Sequence, residues 1–123
     1  MPFHVTVHHF PHHLQVDAGG PALFSDLCGL ADLVGTIGRK GGYACAVMNL
    51  LEIEIALGFT DHLQLGAYAA QQLRHLERVA SIVPQRFRTG TSEKAAQKAG
   101  LQLRTFTSLE DGLAWLHQEA PPA

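Results

Sequence analysis

The sequence predicts a single-domain α/β protein: a mixed, mainly parallel sheet with an N-terminal β-hairpin and about four helices. Three observations carry that expectation. Tyr43 to Leu51 is the longest nearly unbroken apolar run, carries no charge, and is set off by Gly41-Gly42. An uncharged run bounded by a turn reads as a strand buried on both faces of a parallel sheet. Strand-like and helix-like segments alternate from residue 13 onward, and alternation of that kind demands right-handed parallel crossovers. Finally, 123 residues are enough to bury one core but not two. The domain is expected to span residues 1–118, with 119–123 a disordered tail.

Taken in order, Phe3, Val5 and Val7 alternate with His4, Thr6 and His8, the period of a half-buried strand. Pro11 interrupts it, and Leu14, Gln15 and Val16 form a short second strand, completing a hairpin around Phe10 to His13. Gly19-Gly20-Pro21 reads as a stop and then a helix start, with proline in the first turn. Leu23, Leu27, Leu30 and Val34 recur at helical spacing, so residues 21–35 form an amphipathic helix that Gly35 and Gly38 end. Residues 38–42 are a loop into the central strand. In that strand Cys45 and Val47 should be almost fully buried, and Glu52 and Glu54 mark its arrival at the sheet edge.

A second helix runs from Asp61 to about Leu76, with Thr60 as its cap and Leu63, Ala67, Ala70 and Leu73 as its buried stripe. Arg78 to Pro84 is an uncharged β-branched strand after its first residue, ended by proline. Residues 91–99 are a short helix closed by Gly100, and Gln102 to Phe106 is the last strand. Ser108-Leu-Glu-Asp111 is a capping-box pattern. It opens a final helix to about Gln118, with Leu109, Leu113 and Leu116 inward.

Composition narrows the function classes. The chain is 46% hydrophobic and 16% charged, with a formal net charge of −2, so nucleic-acid binding by the whole molecule is not expected. No apolar run approaches a membrane span, so no membrane association is expected either. The start, Met-Pro-Phe-His-Val, lacks the basic and apolar regions of a secretory signal, and a cytoplasmic protein is expected. Cys28 and Cys45 fall on different elements without a Cys-x-x-Cys spacing, and read as small buried apolar residues.

The second half of the chain resembles a known family. Arg78-Val-Ala-Ser-Ile-Val, then Ala95 to Phe106 with its Ala-Gly-Leu, then Ser108 to Leu116 with its Ala-Trp-Leu, resembles the STAS-like proteins, relatives of the anti-sigma-factor antagonist fold. These are packing motifs, and the order of elements over residues 3 to 118 agrees with them. The resemblance implies a protein-interaction module. In the sigma-regulating branch it also implies a phosphorylatable Ser or Thr near the tip of the helix after the central strand. Here the strand end reads Met48-Asn49-Leu50-Leu51-Glu52, and Ile53 to Phe59 has no hydroxyl; Thr60 is the nearest. The family's serine phosphoswitch is therefore not expected.

Candidate chemistry is sparse. Between Arg74 and Arg104 stand seven Lys or Arg against two acids, Glu77 and Glu93. Most of that cluster reads as a solvated face. Arg86 and Arg88 precede a helix whose first amides, at Thr91 and Ser92, face the same loop, and these four residues are a candidate anion or partner site. Gly38 to Gly42 lacks the Walker spacing. His62, beside Asp61, and His75 flank the second helix, with no serine or cysteine placed to complete a triad. His8-His9-Phe10-Pro11-His12-His13 puts four of the eight histidines within six residues. Alternation lets at most two share a face, His8 with His13, so a resident metal is not expected.

The reading is a non-catalytic protein-interaction or regulatory module with no cofactor, acting on an unidentified protein partner or as a homodimer. The alternative is a binding protein for a small apolar or anionic ligand, against which a closed core without a sizeable cavity would argue. An enzyme would need a cleft joining His62 or His75 to acids at the strand ends.

Overall fold

The computed structural model describes residues 2–88 and 90–118; the expected tail, 119–123, lies outside the described residues. The element order is β1 (His4–His9), β2 (Leu14–Ala22), α1 (Phe24–Gly41), β3 (Cys45–Ile55), α2 (Phe59–Leu73), β4 (Arg78–Ile82), a single 3₁₀ turn (Gln85–Phe87), α3 (Thr91–Lys98), β5 (Leu103–Phe106) and α4 (Leu109–Leu116). The sheet runs in chain order, β1-β2-β3-β4-β5. β1 pairs antiparallel with β2, and every later pair is parallel. This is the expected α/β architecture, hairpin included.

Strand alternation divides the core in two. Ala46, Met48, Val79 and Leu103 face α1, α2 and α3, where they meet Leu30, Val34, Ala70, Leu73 and Ala96. Val47, Ala80 and Ile82 face the opposite way, onto Leu116 of α4 with Leu113 and Trp115 beside it. β3 pairs with β4 from Cys45 to Asn49, and within that stretch Ala46, Val47 and Met48 are buried. Beyond that point it pairs with β2 alone, and its residues alternate: Ile53 is buried, while Glu52 and Glu54 are exposed. Among the described residues no helix is long and apolar enough to cross a membrane.

Several boundaries differ from the sequence expectation, each for a packing reason. β2 does not stop after Val16 but runs through Gly19-Gly20-Pro21 to Ala22. Its register on β3 slips between Asp17 and Gly19, and Gly20, at φ 85°, lies so near the Pro2 carbonyl that a Cβ would stand 2.6 Å from its oxygen. Pro21 is tolerated there because β1 pairs no further along than Gly19, leaving no ladder bond for its missing N–H to make. α1 therefore starts at Phe24, and the exposed Leu23 is its N-cap rather than part of the buried stripe.

Gly35 and Gly38 do not end α1 but sit inside it, buried. A Cβ on Gly35 would come within 2.6 Å of the Gln72 carbonyl oxygen, so this glycine sets how closely α1 approaches the end of α2. The helix closes seven residues beyond Gly35, on Gly42 in the left-handed conformation. α2 is capped by Gly58, with the Asp61 carboxylate accepting from the Gly58 amide at 3.2 Å. Thr60 is thus an exposed residue of the first turn and not the cap. The buried stripe of α2 is Gly66, Ala69, Ala70 and Leu73, whereas Leu63 and Ala67 are exposed. Ser108 does cap α4, accepting from the Asp111 amide at 3.4 Å.

Val47 is fully buried, but Cys45 is only half-buried. A carboxylate at position 47 would lie uncompensated between β3 and α4, at a cost of several kcal/mol that is comparable with the whole stability of a domain this size. Val47→Asp is expected to abolish the cooperative thermal transition. A soluble variant with a sharp, calorimetrically visible unfolding transition would contradict the central position of β3.

Candidate functional site

Where the α1–α3 layer meets the C-terminal half of the sheet, the packing leaves a cavity of about 120 Å³. It is built from two unlike halves. On the side of α1 and the second half of β3 the wall is apolar, with Leu27, Leu30, Leu50 and Ile53. On the side of β4, β5 and the start of α3, the lining includes Ser81, Arg88, Ser92, Glu93 and Thr105, with His62 reaching in from α2. Strand pairing puts Met48, Ser81 and Thr105 in one row across β3, β4 and β5. The parallel crossovers bring both helix starts, and hence His62 and Ser92, to this end of the sheet.

His62 Nδ1 and Ser92 Oγ share a hydrogen bond at 3.0 Å, across thirty residues of sequence. This corrects the expectation that no serine stands near His62. The acid beside it contributes no third member, because the Asp61 carboxylate accepts from the Gly58 amide. The Glu93 carboxylate accepts from the Thr105 amide at 2.5 Å and so ties α3 to β5. Ser81 is 8% exposed and stands between Met48 and Thr105, and among the described residues no protein group hydrogen-bonds its hydroxyl.

The four residues read from the sequence as an anion site are placed unequally. Arg88 and Ser92 line the cavity, Thr91 is the first residue of α3, and Arg86 lies with its guanidinium 4.7 Å from the Phe87 ring centroid. Among the described residues Arg88 makes no ion pair. The rest of the basic cluster is divided between the two faces of the sheet. The Arg78 guanidinium donates to the carbonyls of Trp115 and Gln118, at 2.8 and 2.6 Å, and pins the end of α4. Arg104 stacks against Phe106 and Trp115 on that same face. His75 is exposed and does not line the cavity, so no cleft joins it to the strand-end acids.

The histidine-rich hairpin is a set of separate contacts. His8 Nε2 lies 3.0 Å from the Asp17 carboxylate, and His9 Nδ1 lies 2.7 Å from the Tyr43 hydroxyl. His13, stacked on Phe10, meets His117 beyond α4, with 2.9 Å between Nδ1 and Nε2. The candidate metal pair, His8 and His13, therefore turns to different partners. Among the described residues no three His, Cys, Asp or Glu side chains come together as metal ligands. Both thiols are half-buried rather than buried, and burial raises the pKa of each above the ordinary thiol value, away from thiolate reactivity.

Burial first, then the neighbouring His117 and His12, hold the His13 imidazole below its ordinary pKa. Its Nε2 is buried without a partner, so a second ring proton would find no acceptor there. His75 is lowered as well, by burial and then by Arg39. The unfolded chain takes up these protons near pH 6.5, roughly the free-imidazole value, whereas the folded chain does so only at lower pH. Stability is thus complete above that pH and falls as the pH drops from it towards the folded values. Melting curves between about pH 7.5 and 5.5 should show this loss, and a His13→Gln, His75→Gln double variant should lose less. An equal acid-side slope in the variant would count against it.

No family model matches this sequence, and no curated protein matches it. Solved structures do match its fold. An anti-sigma factor antagonist from Mycobacterium paratuberculosis superposes with a TM-score of 0.63, at 15% identity over 95% of this chain and 96% of that one. An uncharacterized protein of the DUF3478 family with a SpoIIAA-like fold, from Shewanella loihica PV-4, gives a TM-score of 0.55 at 19% identity over 93% of each chain. On this likeness the chain has the SpoIIAA-like fold.

Proposed function

We propose that this protein is a regulatory STAS-like module that acts by binding another protein, without the serine phosphoswitch of the sigma-regulating branch. Likeness of fold to an anti-sigma factor antagonist over nearly the whole chain supports the regulatory reading. The observation that carries the binding is the exposed apolar surface at the helix starts. Leu23 is 71% exposed and Phe59 68%, with Leu63 a turn further along α2. Leu23 follows Ala22, which pairs with Ile55, and Phe59 comes four residues after Ile55, so these side chains leave neighbouring strand ends. Large apolar side chains clustered in this way are a common mark of an interaction surface.

The segment Ile53 to Phe59 carries no hydroxyl, and Thr60, though exposed, replaces the family's serine with a residue of the first helical turn. Affinity capture from the native cell, read by mass spectrometry, tests the proposal. A partner retained by the wild type should be lost with a Leu23→Ser, Phe59→Ser double variant of unchanged melting temperature, and kept with Thr60→Ala. A partner indifferent to the double variant, or dependent on Thr60, would reject this reading.

A homodimer through β1 belongs to the same proposal. β1 is an outer strand, and among the described residues it pairs only with β2, leaving one row of amides and carbonyls open to a second chain. Twofold pairing is the commonest route to an oligomer. Sedimentation should show a dimer at high micromolar concentration, and a monomer throughout that range would exclude it.

The second reading, a binding protein for a small ligand, is favoured by one observation, the cavity between the sheet and α1–α3. Apolar pockets with a few convergent polar groups are the usual form of such sites.

A further inference from the structure

We infer that the cavity takes a small monocarboxylate whose apolar body is about the size of one benzene ring; this rests on the second reading above and gives it a ligand class. Size sets the first limit. The cavity measures about 120 Å³, close to the volume of about 150 Å³ in which an engineered apolar cavity holds benzene.

The lining sets the second limit, because its two halves ask for two chemistries in one molecule. Leu27, Leu30 and Ile53 offer only apolar surface and accept the body of the ligand. At the other end stand Ser81, Arg88, Ser92 and His62. Ser81 is the informative one. The residue is 8% exposed and lines the cavity, and its hydroxyl has no protein partner among the described residues. A hydroxyl left open on a pocket wall is placed to donate its proton to a ligand oxygen.

Charge gives the third limit. Arg88 lines the same cavity without an ion pair among the described residues, and a guanidinium pairs with a planar carboxylate through two parallel bonds. The opposing carboxylate in the lining, Glu93, accepts from the Thr105 amide and is thereby drawn toward the β5 backbone. Ser92 is held at 3.0 Å by His62, so its hydroxyl is positioned at the same end. The ligand therefore lies with its carboxylate toward β4 and α3 and its ring toward α1.

Calorimetric titration of the intact chain with benzoate, benzyl alcohol and benzylamine tests this. Benzoate should bind one to one and at least tenfold more tightly than the other two, and Arg88→Gln should remove that preference while leaving the fold intact. Ser81→Ala separates a ligand role from a structural one. It should leave the melting temperature of the ligand-free protein unchanged while weakening benzoate. Equal or tighter binding of the alcohol or amine overturns the carboxylate and leaves the binding-site reading standing. If none of the three binds, both fall.

Discussion

Everything in this molecule leans on the first five residues of β3. From Ala46 to Asn49 the strand has a partner on each side and a helical layer on each face. A segment in that position admits no charge and no break, which is why it is the longest apolar run in the chain. Its two side-chain rows then assign the helices. Ala46 and Met48 belong to the three-helix side, and Val47 belongs to α4. The same strand also explains the cavity. Past Asn49 it loses β4 as a neighbour, and helices packed over a narrowing sheet do not close completely against it.

The order of elements was legible because each left a periodic mark that tertiary packing did not overrule. The boundaries that failed share one cause. Gly19-Gly20-Pro21 and the Gly35, Gly38 pair read locally as breakers, whereas Gly20 and Gly35 stand where backbones distant in sequence approach closely. Gly20 admits Pro2, and Gly35 admits Gln72. A glycine that ends a helix and one that lets two helices touch look alike in a sequence. The stripe of α2 misled in a related way, since small residues at positions 66, 69 and 70 hold the buried face while the larger Leu63 faces water. Helices that pack closely select for small volume before hydrophobicity.

Much less of the candidate site could be read beforehand. Arg88 and Ser92 were visible as a basic loop before a helix, but their meeting with His62 depends on two crossovers that bring distant helix starts to one sheet end. Ser81 did leave a signal, as a lone hydroxyl in the apolar run Val79 to Val83. That signal gained meaning only once the pairing of β3, β4 and β5 showed which face it occupies. The histidine cluster was conspicuous in sequence and dispersed in space, because neighbouring strand residues point to opposite faces.

The cavity also bears on how the protein responds to hydrostatic pressure. Space within a folded chain disappears when the chain unfolds, and domains contract on unfolding by about 20 to 100 mL/mol, more where internal voids are larger. The pocket of roughly 120 Å³ beneath α1–α3 marks where the packing is looser, and it lies on one side of the sheet. Compression therefore acts unevenly on the two layers: the three-helix side is the softer one, and the tightly packed contact of α4 with Val47, Ala80 and Ile82 is the stiffer. Any molecule that fills the softer side raises the pressure the fold withstands.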